Sequence, residues 1–446
     1  MPIFSNRQLQ TMLDQLDPWL SSSKAKDLLR RLRSENPDQS IPSEYELALT
    51  WGVSRVAALE IEKPAGAKFP DLFSADLFGS GPTFVEVTAL SDAPLSDEVA
   101  MKRAANIISN YCNSIRGGSG RHLVFQFLEK SGNETVIRKG RSYSTFVRRR
   151  LITRSFDLDD TLRELLRRWL TQSATLPALT LRSKHIGVVI TWQDRPHERV
   201  RAFSLMPSEA YDLRDNPLYR ALKDKERSQL RNVPPGVRRG IFLGDAGCAL
   251  LRNLRPGRSW YAVRGEDIIR TFMAESAIDV VCVFSPKRLN ENSLDALSDP
   301  RVWHLHVFDR RSAVPSGEYD RVLKLQEQLP PPRLHGYQAR SWVQNRLFDS
   351  AYLPTNLTSN HKGLTVRISA RGLRDLLAGH ITHDKIIERL VGNGEFFNEA
   401  VRSREVISDV RLERGADGSD DDYIVIQFSP DVSVGGLRMP AKTTPR

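Results

Sequence analysis

Two acids in neighbouring β-prone segments have the types and spacing for chemistry. Pro70-Asp71 opens the segment FPDLFSADLFG, and Glu86 lies within the next one, PTFVEVTAL. Side chains alternate along a strand, so Glu86 and Thr88 share one face, while Val85 and Val87 share the other, read here as the core face. If the two segments pair as a hairpin across Gly79-Ser80-Gly81, Asp71 comes beside Glu86. Two convergent carboxylates make a hard-oxygen site suited to Mg²⁺ or Mn²⁺. In phosphodiester hydrolysis such a site relieves charge at phosphorus and orients the attacking water. An acid flanked by Phe84, Val85 and Val87 in a run expected to be buried is costly unless it is paired. That cost favours a site over a surface-facing strand residue.

A helix, a strand pair and a second helix must position these acids. From Ser43 to Leu59 apolar residues recur at helical spacing, with Ser43 as N-cap and Glu46 three positions on, a capping-box pattern. Pro64 stops that helix. After the two strands, SDEVAMKRAANIISNYCNSI reads as a helix ended by Gly117-Gly118. RHLVFQFLEK then reads as a buried strand that turns at Ser131-Gly132-Asn133 into TVIRKG. Upstream, NRQLQTMLDQLDPWL and SKAKDLLRRLRS give two short helices broken at Pro18. Downstream, the helical stretches FDLDDTLRELLRRWLTQSA and ALKDKERSQLR alternate with the strands HIGVVITW, RGIFLGD, IDVVCVFS and VWHLHVFD. This alternation is the pattern of an α/β sheet covered by helices. Pro330-Pro331-Pro332 reads as a rigid linker. The expected organisation is an N-terminal helical segment over 1–40, an α/β domain over 41–329, and a small α+β unit over 333–446 with a flexible tail.

The order helix with an acid, strand with Pro-Asp, strand with Glu-x-x, then helix and strand, resembles the PD-(D/E)XK nuclease superfamily from Ser43 to Glu129. The resemblance implies a restriction-endonuclease-like mixed-sheet core flanked by helices. It also implies a Mg²⁺- or Mn²⁺-dependent endonuclease acting in restriction or anti-phage defence. In that family Asp71 and Glu86 would hold metal, and Glu46, or after it Glu44, would assist from the preceding helix. One position departs from the family: its lysine, two residues after the strand acid, is Thr88 here. A neutral hydroxyl cannot supply an ammonium's charge to the attacking water. Lys68, before the Pro-Asp strand, and Lys102, on the following helix, are the candidates to supply it. Without such a lysine the chain would be a nucleic-acid-binding scaffold with a degenerate site.

Charge suggests the same kind of partner. The formal net charge is +11, and arginine, whose planar fork matches phosphate, supplies most of the cations. Arg148, Arg149 and Arg150, with Lys223, Lys225 and Arg227 on a later helix, are the candidate nucleic-acid contacts, to DNA before RNA. Asp245, at the carboxyl end of a strand, is either a polar site residue or a cap opening the next helix. SIPSEYELALTWGVSRVAALE also resembles the opening of a winged-helix regulator of the gluconate-repressor type. That resemblance implies a second helix from Ser54 that enters the major groove. The glycines form no GxxxxGK[ST] loop, which argues against nucleotide hydrolysis. Cys112, Cys248 and Cys282 have no paired spacing and are expected as buried thiols. No apolar run approaches the roughly 20 residues of a membrane span. The start MPIFSNRQLQ lacks a secretory signal's order, so a cytoplasmic chain without membrane contact is expected. The C-terminal unit is the candidate surface for a homodimer or a partner protein.

Overall fold

Ser5 opens the first helix, α1 (Asn6–Leu16), through a capping box: its hydroxyl accepts from Gln8 N, and the Gln8 side chain accepts from Ser5 N. Ser21 caps α2 (Ser22–Leu32) by accepting from Lys24 N, after a 3₁₀ turn at Asp17–Trp19 that contains Pro18. The third helix, α3, runs Pro37–Val56, not from Ser43. Asn36 starts it, its side chain accepting from Asp38 N, and Pro37 suits the first position because its missing N–H has no partner to lose. The Ser43 hydroxyl instead donates back to Gln39 O at 2.8 Å, so Ser43 is a mid-helix residue and not a cap. Because α3 is one continuous 20-residue helix ending at Val56, no second helix begins at Ser54, and the winged-helix expectation loses its recognition element.

The computed structural model describes residues 3–430 except 80, 96, 139–140, 172–176, 198–199, 207, 253, 255–261, 289–300, 312–316, 346–354, 361–362, 380–381, 383–404 and 415–421. Among them, the chain forms two compact units: Met1–Val56, Pro286–Trp303 and Lys324–Arg446 in one, Ala57–Ser285 and His304–Leu323 in the other. The sequence breaks were expected near 40 and 330.

After α3 the elements follow in the order β1 (Glu60–Ile61), β2 (Leu72–Phe78), β3 (Gly81–Leu90), α4 (Glu98–Ile115), β4 (Leu123–Phe127), β5 (Glu129–Arg138) and β6 (Arg141–Arg150). Next come α5 (Asp160–Thr171), β7 (Leu179–Arg182), β8 (Gly187–Trp192), β9 (Arg201–Ser204) and α6 (Pro217–Lys225). The run closes with β10 (Arg238–Asp245), α7 (Ala249–Arg252), α8 (Gly265–Glu275), β11 (Val280–Arg288) and β12 (Arg301–Asp309). A mixed six-stranded sheet of order β1-β2-β3-β10-β11-β12, flanked by helices, is the frame. In it β2 runs antiparallel to β3, whereas β3, β10 and β11 are parallel. Helix α3 stops short of its expected end because Glu60 and Ile61 pair with Phe73 and Leu72.

Both faces of this sheet are buried. Phe73, Phe84, Ile241 and Leu243 pack with Leu218, Leu222 and Leu230 on one side. Phe78, Phe242, Phe284 and Tyr319 stack ring on ring on the other. The expectation that only the Val85 and Val87 face is core is therefore corrected: the Glu86 face is core as well. RHLVFQFLEK does not extend this sheet. Strand β4 joins a separate sheet of order β7-β8-β4-β9, whose core includes Phe125, Ile190, Ile108 on α4 and Leu166 on α5. The expected turn at Ser131-Gly132-Asn133 is also absent, since β5 continues through it and pairs with β6 as a two-stranded ribbon.

In the first unit, Phe4 and Tyr45 pack their rings against Trp303 at 5.7 and 5.9 Å. The chain then continues through α9 (Asp320–Gln328) and α10 (Gly336–Asn345), which packs on α3. Beyond them, β13 (Thr355–Asn360), β14 (Gly363–Ser369), α11 (Ala370–Leu377), β15 (Glu405–Glu413) and β16 (Tyr423–Pro430) give an antiparallel sheet of order β13-β14-β16-β15. The tail after 430, expected as flexible, lies outside the described residues. Among the described residues no helix is long and apolar enough to cross a membrane. Cys112, Cys248 and Cys282 are buried free thiols.

Candidate functional site

The β2–β3 register sets Leu72 opposite Val85, which brings Asp71 beside Glu86 on one face of the sheet. The two acids clasp each other's strand. Asp71 N donates to Glu86 Oε1 at 3.1 Å, and Val87 N donates to Asp71 Oδ2 at 2.8 Å. Glu86 is 1 % exposed and shares its sheet face with Phe84 and Phe73, whose rings lie 4.9 Å apart. Burial, then the adjacent Asp71 charge, push its carboxyl up to about 8 against the pull of Lys225.

Lys225 is the group that the sequence reading did not connect to this pair. Its ammonium lies 2.7 Å from Glu86 Oε2, reaching in from the last position of α6. A single π-helical turn, Glu226–Leu230, follows at once. Such turns shift the helical register and recur at functional positions. Glu226 pins this one: Oε1 accepts from Ala277 N at 2.9 Å and Oε2 takes Lys223 Nζ at 2.6 Å. Leu222 and Leu230, on either side, are buried in the core beneath the sheet. Lys225 had been placed only among the nucleic-acid contacts, on the strength of its basic helix. No local signal ties it to Glu86, because the two are 139 residues apart.

The other proposed participants sit elsewhere. Thr88 shares the Glu86 face and is half-buried, in register with Leu243. Lys68 is exposed, its backbone closing a small bridge to Ala65. Lys102 is ion-paired to Glu98 one turn back on α4. Glu46 belongs to the first compact unit, where it binds Arg31 at 2.6 and 3.0 Å and Lys24 at 2.9 Å. Burial raises its carboxyl, but the Arg31 hydrogen bond and the two cations prevail and hold it below the usual range. Glu44 is fully buried in that unit and accepts from Ile3 N and Phe4 N; burial pushes its carboxyl up to about 7.

Among the proposed nucleic-acid contacts, Arg148 is bound to Glu129 at 2.7 Å and Arg149 to Glu134 at 2.6 Å. Arg150 is 4 % exposed and donates to the carbonyls of Leu95 and Met206, which makes it an internal strut and not a surface contact. Lys223 holds Glu226, and Arg227 is exposed on the π-turn. Asp245 is buried and accepts from Gly247 N and Cys248 N in the turn before α7, whereas the first N–H of that helix, Ala249 N, is accepted by Asp92 Oδ1.

Among the described residues no three His, Cys, Asp or Glu side chains form a ready-made metal cage. The donor set at Asp71 and Glu86 still fits Mg²⁺. That ion keeps several waters and is commonly held by one or two carboxylates together with a substrate phosphate. No family model matches the chain, and neither does any curated protein or solved structure.

Proposed function

We propose that this chain is a metal-dependent nuclease that hydrolyses nucleic-acid phosphodiesters on a restriction-endonuclease-like core, with Lys225 in place of the lysine that Thr88 lacks. The observation that carries the reading is the triad itself. Asp71 and Glu86 meet on an antiparallel strand pair, and a cation from a distant helix is 2.7 Å from the second acid. The parallel strands β10 and β11 beside β3, joined through α7 and α8, support the same core.

Asp71 and Glu86 would hold Mg²⁺ or Mn²⁺. Bound there, the ion would supply charge relief at phosphorus and lower the pKa of a bound water. Lys225 fixes a positive charge at the Glu86 carboxylate, where it orients a water and stabilises a developing phosphoryl oxyanion. The burial of Glu86 strengthens both effects. A role in restriction or defence against foreign nucleic acid rests on the resemblance alone.

The test incubates purified protein with plasmid, single-stranded DNA and RNA in Mg²⁺ and Mn²⁺, beside Asp71→Ala. Cleavage should fall by about 1,000-fold or more in the variant, the size expected when a main electrostatic element is lost. Cleavage that persists in Asp71→Ala would overturn the site. No cleavage by either protein, with binding retained, would favour the non-catalytic scaffold.

A further inference from the structure

The antiparallel sheet of the first unit has an apolar face that runs on past its core. Leu412, Val410 and Ile407 on β15 stand opposite Ile424, Ile426 and Phe428 on β16, and Ile426 in turn stands opposite Val366 on β14. Val366 and Phe428, inside the sheet, are buried. On β15, the last strand of the order, Ile407, Val410 and Leu412 are 57 %, 58 % and 61 % exposed. Every residue from Ile407 to Arg414 is exposed.

An edge strand with a row of bare apolar side chains is a template for another strand, and chains usually blunt it with lysine, proline or a short length. β15 reads EVISDVRLE, with neither lysine nor proline. It carries a bulge between Ile407 and Asp409, which leaves Asp409 to Glu413 regular.

The charges on that regular stretch select the occupant. Residues directly opposite in an antiparallel pair share a face, where unlike charges attract and like charges repel. A second copy laid antiparallel about a twofold axis at Val410 sets Asp409 against Arg411 of the second copy, and Arg411 against Asp409 of the second copy. Val410 meets its own counterpart between them. A twofold at Arg411 would instead set Arg411 on Arg411 and Asp409 on Glu413, and one at Asp409 would set Asp409 on itself. A twofold at Leu412 would match Arg411 with Glu413, but Glu413 is already held by Arg367 at 3.0 and 3.2 Å, and β15 ends there.

We propose that β15 is a self-association edge: two copies of this chain pair β15 on β15 about Val410, which makes one sheet continuous across a symmetric dimer. A single strand pair lies at the small end of specific interfaces, so the dimer is weak and depends on concentration. The proposal is independent of the nuclease reading.

The test is sedimentation velocity on the full chain from about 1 to about 300 µM, across which the wild type should pass from monomer to dimer. Asp409→Arg and Arg411→Asp each put like charges opposite one another on both sides of the twofold, and each should weaken dimerisation about tenfold or more. An equimolar mixture of the two single variants restores unlike charges at every such pair and should dimerise as the wild type does. Val410→Lys, which places two ammonium groups at the twofold, should leave the chain monomeric. All three side chains are exposed, so melting temperatures should match that of the wild type. A wild-type chain still monomeric at about 300 µM would overturn the proposal. So would a dimer that the single variants leave intact, or one that their mixture fails to restore.

Discussion

Glu44 and Glu86 are both buried, and burial pushes their carboxyls up to about 7 and about 8, yet their surroundings differ in kind. Glu44 is met by two backbone N–H groups from the start of the same compact unit, at 2.9 and 3.1 Å. Those two bonds tie that segment to α3. Glu86 is met by a second carboxylate and by an ammonium that a core-packed helix carries in from far along the chain. Glu44 accepts from two backbone donors; Glu86 accepts from one backbone donor and also faces another acid and a lysine. Glu46 adds the third case, an acid neutralised by Lys24 and Arg31 within its own helical layer. Burial of an acid thus does not mark chemistry until the groups facing it are known.

The contrast is broken most directly at Lys225. Lys225→Met keeps the stem and removes the charge, and single-turnover cleavage should fall on the order of 100-fold. A fall of less than about threefold would detach Lys225 from the reaction. Next in size is Glu46→Ala, which leaves Arg31 and Lys24 without their shared carboxylate and should cost about 2 kcal/mol in urea unfolding. Cleavage by the folded variant should stay at the wild-type rate. Its loss with the fold intact would bring Glu46 into the site and erase the distinction.

The third effect is a pH slope. In the folded chain Glu44 binds its proton more tightly than the ordinary value of 4.5, up to about 7, so its contribution to stability is complete below about 4.5 and is lost as pH rises through about 7. Glu44→Gln cannot ionise and escapes that loss. Relative to wild type it should gain stability between pH 5 and pH 8, by no more than about 3 kcal/mol. A difference between the two proteins that stays constant across that window would show that Glu44 is not buried as a raised acid.

What the sequence made legible was short-range. The alternation in PTFVEVTAL and the Pro-Asp before it sufficed to pair β2 with β3 and to bring Asp71 to Glu86, because a hairpin leaves little choice of register. The mixed α/β class likewise followed from alternating helices and strands. Lys225 escaped because its partner is set by how α6 packs on the sheet, which no local pattern encodes. Arg150 looked like its neighbours Arg148 and Arg149, and only its carbonyl partners reveal a strut. The start of α3 was displaced because Ser43 and Glu46 carry a capping-box spacing, while Asn36, seven residues upstream and followed by Pro37, is the cap that operates. Gly132 suggested a turn within what is an unbroken strand, since an open ribbon tolerates glycine where a packed one would not.

The mutual clasp of Asp71 and Glu86 bears on folding as well. Each carboxylate holds a backbone N–H of the opposing strand, so the pair also fastens the register of β2 on β3. Both acids should therefore resist substitution whatever ligand the site takes. Lys225 reaches the Glu86 carboxylate from α6, so the same acid that fastens the two strands also ties that helix to β3.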